Sequence, residues 1–222
     1  MFNYRDFGLE KRNLYEILAT TFSRSNKKDS IKPNTACMGI RFIEDNILKI
    51  SPYPETTTLK NLKENGYIVI NFVNDVYLYA LAALKEFPTK YYEYYEIPKS
   101  ENGLIPYINK AWLFLFGKVV EENQIIKKTS LGEIKISEFA ISIIDFKKLK
   151  DSFKVFNRAE NLALEIIVLA TRLKIAREKN ELALFNVIHE KIMDHIGNIK
   201  RFGKNKSALK TMDLVSNYIS NL

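Results

Sequence analysis

Three consecutive threonines, Thr56-Thr57-Thr58, open a segment from Thr57 to Asn65 that reads as a short helix ending at Gly66, a common residue just past a helix. A helix start carries unpaired backbone N–H groups and the positive end of the helix dipole, and threonine hydroxyls add further donors. That combination suits an anion, and a phosphate is its natural guest. Threonine is also an ordinary N-cap that bonds its own helix, so the run gains meaning from its surroundings. Upstream lies a small-residue strand, Pro33-Asn34-Thr35-Ala36-Cys37-Met38-Gly39. Downstream come Asn61, one turn into the helix, and the apolar strand Ile68 to Val73.

The elements that must hold these residues follow from period and punctuation. Tyr15 to Ser23 is apolar and β-branched enough for a strand, Arg24 to Lys32 is a polar loop, and Thr35 to Phe42 alternates as a second strand. Glu44-Asp45-Asn46 reads as a turn into Ile47 to Ser51, and Pro52 and Pro54 stop that ladder. Val76 to Lys85 has an amphipathic helical pattern. No period explains Phe87 to Pro98, where Tyr91-Tyr92-Glu93-Tyr94-Tyr95 reads best as cover for a subunit interface. Strands return at Ala111 to Glu121 and Glu133 to Ile144.

From Phe146 onward the pattern turns helical. Asn157 and Glu160 have capping-box spacing, and Leu162, Ile166, Leu169 and Leu173 share a face. A further helix starting at Asn180 carries Leu184, Ile188, Ile192 and Ile196, and the last carries Leu209, Met212, Val215 and Ile219. Such stripes must be buried against one another, the strands or a partner. The expected organisation is α+β: a strand-rich domain over 1–150 and three helices over 151–222.

The order of parts resembles the FMN-binding split barrels of the flavin reductase and pyridoxamine-phosphate oxidase type. Within them it is most similar to an archaeal-type family described only as a domain of unknown function with such a barrel. The likeness rests on Tyr15 to Thr21, Pro33 to Gly39, Thr58 to Gly66, and the later helix through Asn157-Arg158-Ala159 and Ala170-Thr171-Arg172-Leu173. It implies a mainly antiparallel split β-barrel with a C-terminal three-helix appendage, FMN as cofactor, and a homodimer with the flavin at or near its interface. Thr35, Ala36, Met38 and Gly39 would then pass beside the flavin ring, and Asn71 would reach the ring edge. Thr56, Thr57 and Asn61 are the phosphate and ribityl candidates. Relatives often place a basic residue beside the phosphate. Here Glu55 precedes the threonines and Lys60 is the nearest cation in sequence, so Arg41, Arg24 or a residue of the opposite subunit would supply the charge.

Composition bounds the alternatives. The chain has 222 residues, 46% hydrophobic and 27% charged, so it can bury a substantial core. Its formal charge of +8 is dispersed in pairs such as Lys27-Lys28, Lys147-Lys148 and Lys200-Arg201, interrupted by Asp and Glu. That reads as a solvated surface that attracts anionic small molecules, and nucleic acid is the less favoured partner. No apolar run approaches the roughly 20 residues of a membrane helix, and Met1 to Asp6 lacks the apolar core of a secretory signal, so the cytoplasm is expected. Cys37, the single cysteine, reads as a small hydrophobe, and His189 and His195, six apart, as solvated helix residues with no metal site. No dinucleotide fingerprint, phosphate-loop lysine or nucleophile elbow is present. The leading reading is a flavin-dependent oxidoreductase acting with a small redox partner. A non-catalytic flavin sensor or partner-binding module is the alternative, and a basic nucleic-acid binder the third.

Overall fold

The computed structural model describes residues 2–24, 31–97, 103–129, 132–152, 158–202 and 205–222. In chain order its strands are β1 (Tyr15–Arg24), β2 (Ile31–Glu44), β3 (Ile47–Ile50), β4 (Tyr67–Val73), β5 (Tyr92–Glu96), β6 (Leu104–Ile108), β7 (Ala111–Thr129) and β8 (Gly132–Lys148). Helix α1 (Thr57–Asn65) precedes β4, α2 (Val76–Leu84) follows it, and α3 (Arg158–Glu178), α4 (Leu182–Phe202) and α5 (Lys206–Ser220) complete the chain. It divides into two units, one built from 1–73 and 88–152 and the other from 74–87 and 153–222.

In the first unit six antiparallel strands close a barrel in the order β1-β2-β3-β8-β7-β4. Strand alternation sends Ile17, Ala19, Ile40, Phe42, Leu48, Ile50, Ile68, Ile70, Phe72, Leu113, Leu115 and Ile141 into one interior core. Both ends of this interior are stoppered. Tyr4, in a short turn of 3-10 helix, stacks on Phe42 near the end of β2, and Phe2 stacks on Phe7 and meets Phe146 edge-on. Near the start of β2, α1 drives Leu59 and Leu62 into the same core. The lumen is thus taken up by packed apolar side chains, and the polar candidate residues lie on the outer surface of the barrel.

One outer face is covered. Phe22, Val69, Phe114 and Phe116 point away from the lumen and pack against Ile97, Ile105, Tyr107 and Tyr95 of a separate two-stranded sheet, β5 with β6. The aperiodic tyrosine stretch is therefore a strand. Tyr95 meets Phe114 edge-on at 5.3 Å, Tyr107 stacks on Phe114 at 4.8 Å, and Tyr94 faces solvent. On β7, Gly117 is required by close approach, because a Cβ there would run into Ile141 and the Ser142 carbonyl.

In the second unit α2 packs with the three C-terminal helices. Asp75 caps α2 by accepting from the Tyr77 N–H at 3.0 Å and also accepts from the Ser207 hydroxyl. Asn205 caps α5 through the Ala208 N–H at 2.9 Å and donates to Glu160. Buried stripes of Ile166, Ala170 and Leu173, of Ile188, Ile192, Ile196 and Ile199, and of Met212 and Val215 form its core. The structure moves several expected boundaries: β2 already begins at Ile31, β7 runs on to Thr129, and β8 runs to Lys148, so the chain is still strand at Phe146. Asn180 does not start a helix but sits at φ +57° after α3, where its N–H bonds the Arg177 carbonyl and Glu181 N–H bonds that of Ala176. Asn tolerates this left-handed geometry, which makes it a helix terminator here. His189 stacks on Phe185 and His195 is largely enclosed, so neither is the freely solvated side chain expected. Asn157 lies outside the described residues. None of the described helices is long and apolar enough to cross a membrane.

The small sheet carries a pH signature. Burial, and then donation to Glu93 at 2.6 Å, push the Tyr107 phenol up to about 12. A phenol whose folded pKa is raised stabilises the fold fully below its unfolded value of about 10 and loses that contribution as pH rises through the folded value. Unfolding free energy is thus expected to fall between pH 10 and 12. Ultraviolet titration should show a late-ionising tyrosine that vanishes in Tyr107→Phe.

Candidate functional site

The polar side chains singled out by the sequence converge on the start of β2 and its neighbours. Because Ile40 and Phe42 belong to the interior core and Met38 packs against it, Thr35, Cys37, Gly39 and Arg41 take the outer face of β2. Register sets Thr20 beside Thr35 and Leu18 beside Asn71, again facing outward. Asn71 is fully buried, yet each end of its amide has a partner. Its Oδ1 accepts the Ile108 N–H at 2.8 Å, and its Nδ2 donates to the Leu18 carbonyl at 3.0 Å, Thr20 Oγ1 at 3.1 Å and the Val69 carbonyl at 3.2 Å. From Thr20 the line continues to Thr35 Oγ1 at 2.8 Å and on to Tyr92 Oη at 2.8 Å.

A second polar group joins α1 to the barrel. Asn61 donates to Thr21 Oγ1 at 3.0 Å, and Asn34 donates to Thr58 Oγ1 at 3.2 Å. These bonds fix α1 by its buried face and leave Thr57 and Lys60 exposed. Thr56 is the N-cap. Its Oγ1 accepts from the Leu59 N–H at 3.2 Å and donates to the Tyr53 carbonyl at 2.8 Å. Glu55, directly before it, has φ +62°, a conformation that costs a side-chain-bearing residue free energy. The chain spends that strain to bring the helix start out of the Pro52-Tyr53-Pro54 turn.

Placed residue by residue, Thr35, Gly39 and Arg41 line the outer face, with Arg41 exposed. Ala36 and Met38 belong to the inward-facing set and can offer that face only their backbone. Thr56 and Thr57 mark the helix mouth, while Asn61 and Asn71 are buried and bonded within the protein. The side chain of Arg24 lies outside the described residues. Burial, reinforced by the nearby Glu16 carboxylate, pushes the Cys37 thiol well above its usual range, so it is a neutral thiol at physiological pH. Thr20, Thr21, Asn34 and Tyr92 were not picked out from sequence. Their signal was a Thr-Thr pair inside an apolar strand and an Asn inside another, polar groups that burial obliges to find partners. No cluster of three metal-ligating side chains occurs among the described residues.

The outer row Thr35, Cys37 and Gly39 is a strip of small residues beginning beside a helix mouth, with Tyr92 bonded at its Thr35 end and the Leu14 side chain close over Gly39. Backbone can come close to a planar group there, and the first turn of α1 can receive an anion. This fits a flavin nucleotide in kind. It is the architecture of the FMN-binding split barrels, a six-stranded barrel with an added small sheet and C-terminal helices.

The family model for the protein of unknown function (DUF447) N-terminal domain matches residues 15–145, and the chain belongs to that family. Among solved structures, the FMN-bound protein MM1853 from Methanosarcina mazei is 18% identical, with a TM-score of 0.75 over 97% of this chain and 100% of that one. A flavoredoxin from Methanosarcina acetivorans is 16% identical, with a TM-score of 0.47 over 64% of this chain and 72% of its own.

Two substitutions test this geometry. Asn71→Ala strands the Ile108 N–H in the interior, and each buried unsatisfied group costs about 1–3 kcal/mol, so a loss of roughly 2–4 kcal/mol is expected in denaturant unfolding. Glu55→Gly relieves the left-handed strain and is expected to gain about 0.5–1 kcal/mol, whereas the β-branched Glu55→Val should lose at least that much. Thermal unfolding of the three proteins side by side checks the order.

Proposed function

We propose that this protein binds FMN noncovalently on the outer face of β2 and works as a flavin-dependent oxidoreductase. The observation that carries the reading is the small-residue strip Thr35, Cys37 and Gly39 leading from the open first turn of α1, on a barrel whose lumen is filled. The FMN-bound state of MM1853, a protein of the same architecture over nearly the whole chain, supports it. Backbone at Thr35, Ala36, Met38 and Gly39 would flank the ring. Thr56 and Thr57 with the N–H groups of the first turn would hold the phosphate. Asn61 and Asn71 would act from behind, by fixing α1 and β4. Arg41, six residues beyond Thr35 on the same face of β2, would stand at the ring end of the strip and not beside the phosphate.

The flavin would supply the redox chemistry; this chain would bind it, orient it and shield one of its faces. A homodimer that covers the outer face would complete the slot, since a single strand shields only one side of a ring. Leu14, just before β1, is an exposed apolar residue beside Gly39, in keeping with a partner there. With no dinucleotide fingerprint, a nicotinamide donor would dock transiently over the ring. The chain's positive balance favours such anionic small molecules, and a cytoplasmic setting suits them.

The purified protein is expected to be yellow and to release FMN on heating. Titration of the apoprotein should show FMN binding more tightly than riboflavin by at least tenfold, because charge-assisted hydrogen bonds contribute about 1.5–3 kcal/mol each. Thr57→Asp places a carboxylate where it suits the helix dipole but repels a phosphate, so it should abolish that preference without weakening riboflavin. Equal affinities in the wild type would remove the phosphate site. Anaerobic NADH or NADPH should bleach the flavin band within catalytic times; bleaching by chemical reductants alone would move the reading toward a sensor.

A further inference from the structure

The end of β2 farthest from the helix mouth gathers positive charge that the barrel itself does not use. Arg41 is exposed on the outer face, directly across from Lys49 of β3. Like charges opposite one another on a sheet destabilise it. Lys49 is relieved by its bond to Glu138. Beside Arg41 the chain that leads into β1 folds in, where the Arg12 N–H bonds the Phe42 carbonyl at 2.9 Å. Arg12 is exposed and held at φ +69°, a left-handed conformation that costs a residue with a side chain. Arg5 pairs with Asp45 at 3.0 Å, whereas neither Arg12 nor Arg41 has an ion-pair partner among the described residues.

The phosphate of FMN is not the anion these arginines await. Thr35 and Arg41 lie six residues apart on one strand, roughly 20 Å at about 3.3 Å per residue. The helix mouth is at the Thr35 end, where Asn34 bonds Thr58 in the first turn of α1. Arg41 and Arg12 stand instead at the ring end. Leu14, exposed and apolar, lies there too, with its side chain close over Gly39. An apolar side chain and two guanidinium groups at one end of a strip suit a ligand that is flat at one part and anionic at another. A guanidinium fork meets phosphate oxygens two at a time, so a pair of forks matches a diphosphate.

We infer that Arg41 and Arg12 bind the diphosphate of a nicotinamide dinucleotide, the electron donor that meets the flavin at the ring end of the strip. This inference rests on the FMN reading, since a flavin on the strip is what makes this end the place for a donor. It separates two anions on one strand: the flavin phosphate at the mouth of α1, and the donor's diphosphate at the opposite end. A dinucleotide crevice cradles its diphosphate with the backbone N–H groups of a glycine-rich turn. This chain has no such turn, and side-chain charge takes its place.

The test is a calorimetric titration of the FMN-loaded, full-length protein with NADP+, ADP and adenosine. ADP keeps the diphosphate without the nicotinamide, and adenosine has neither. NADP+ and ADP are expected to bind, and adenosine to bind at least about tenfold more weakly. Arg41→Gln should weaken NADP+ and ADP by about tenfold, the scale of one charge-assisted hydrogen bond, and Arg12→Gln by a similar factor. Arg41→Lys, which keeps the charge and loses the fork, should weaken them less. FMN affinity should stay the same in all three variants. Lys191→Gln, at an exposed cation of α4, should change nothing. Equal NADP+ affinity in the wild type, Arg41→Gln and Arg12→Gln overturns the inference, and so does an equal loss in Lys191→Gln, which would mean diffuse attraction to a basic protein. Loss of FMN from a folded Arg41→Gln returns that arginine to the flavin and also overturns it. Circular dichroism melts report folding, and Arg12→Gln decides the matter if Arg41→Gln is unfolded. A wild-type protein that holds FMN but binds neither NADP+ nor ADP removes the inference and leaves FMN binding intact. One that holds no FMN removes both.

Discussion

The amide of Asn71 is the point on which the first unit turns. A strand residue with no exposed surface must satisfy its own polar group, and this one does so by joining β1, β4 and β6 at a single side chain. Because its acceptor is committed to a backbone N–H, its donor end is left for the Leu18 and Val69 carbonyls and the Thr20 hydroxyl. A leucine at this position would fill the space, but it would not link the small sheet to the barrel wall. Local polarity is thereby set by long-range topology, with partners 37 to 53 residues distant in sequence.

Filling the barrel has a corresponding effect on where chemistry can occur. Aromatic side chains from the first few residues close one end and α1 closes the other, so the interior is given over to packing. Binding is displaced to the outside of the sheet, where alternate residues of β2 can be small without leaving a hole in the core. The inward set of the same strand, Met38, Ile40 and Phe42, carries the packing that the outward set gives up.

Much of this was legible in the chain. Helix α1 was readable because its start and its Gly66 stop are local signals, and β4 because a continuous apolar run bounded by turns has few other readings. The barrel could be expected from the order of motifs, and the strip at Thr35 to Gly39 from its unusual run of small residues. What stayed hidden was non-local. The sheet of β5 and β6 is masked by a tyrosine cluster and by Pro106, and its partner is the outer wall of the barrel, which no periodicity reveals. Asn180 looked like a helix start because Asn caps helices, and only the backbone conformation shows that it ends one. Alternation along β2 also divides the candidate residues between two faces, a division that resemblance to a family does not make.

The long hairpin of β7 and β8 runs past the strands that flank it. Pairing with β4 reaches only Lys118, and pairing with β3 reaches only Phe139, so from Asn123 and Glu138 outward the two strands have each other and no third strand among the described residues. Exposed edges of that kind invite another chain to add itself, and repeated addition is how soluble proteins become fibres. Charged and amide side chains such as Asn123, Gln124, Glu133, Lys135 and Glu138 alternate along this ribbon with isoleucines, of which Ile126 is exposed, and at its base Lys63 of α1 reaches across to Glu122 at 3.2 Å. A strand arriving to extend the sheet would have to bury those charges. Those charges oppose indiscriminate growth along the edges of the ribbon.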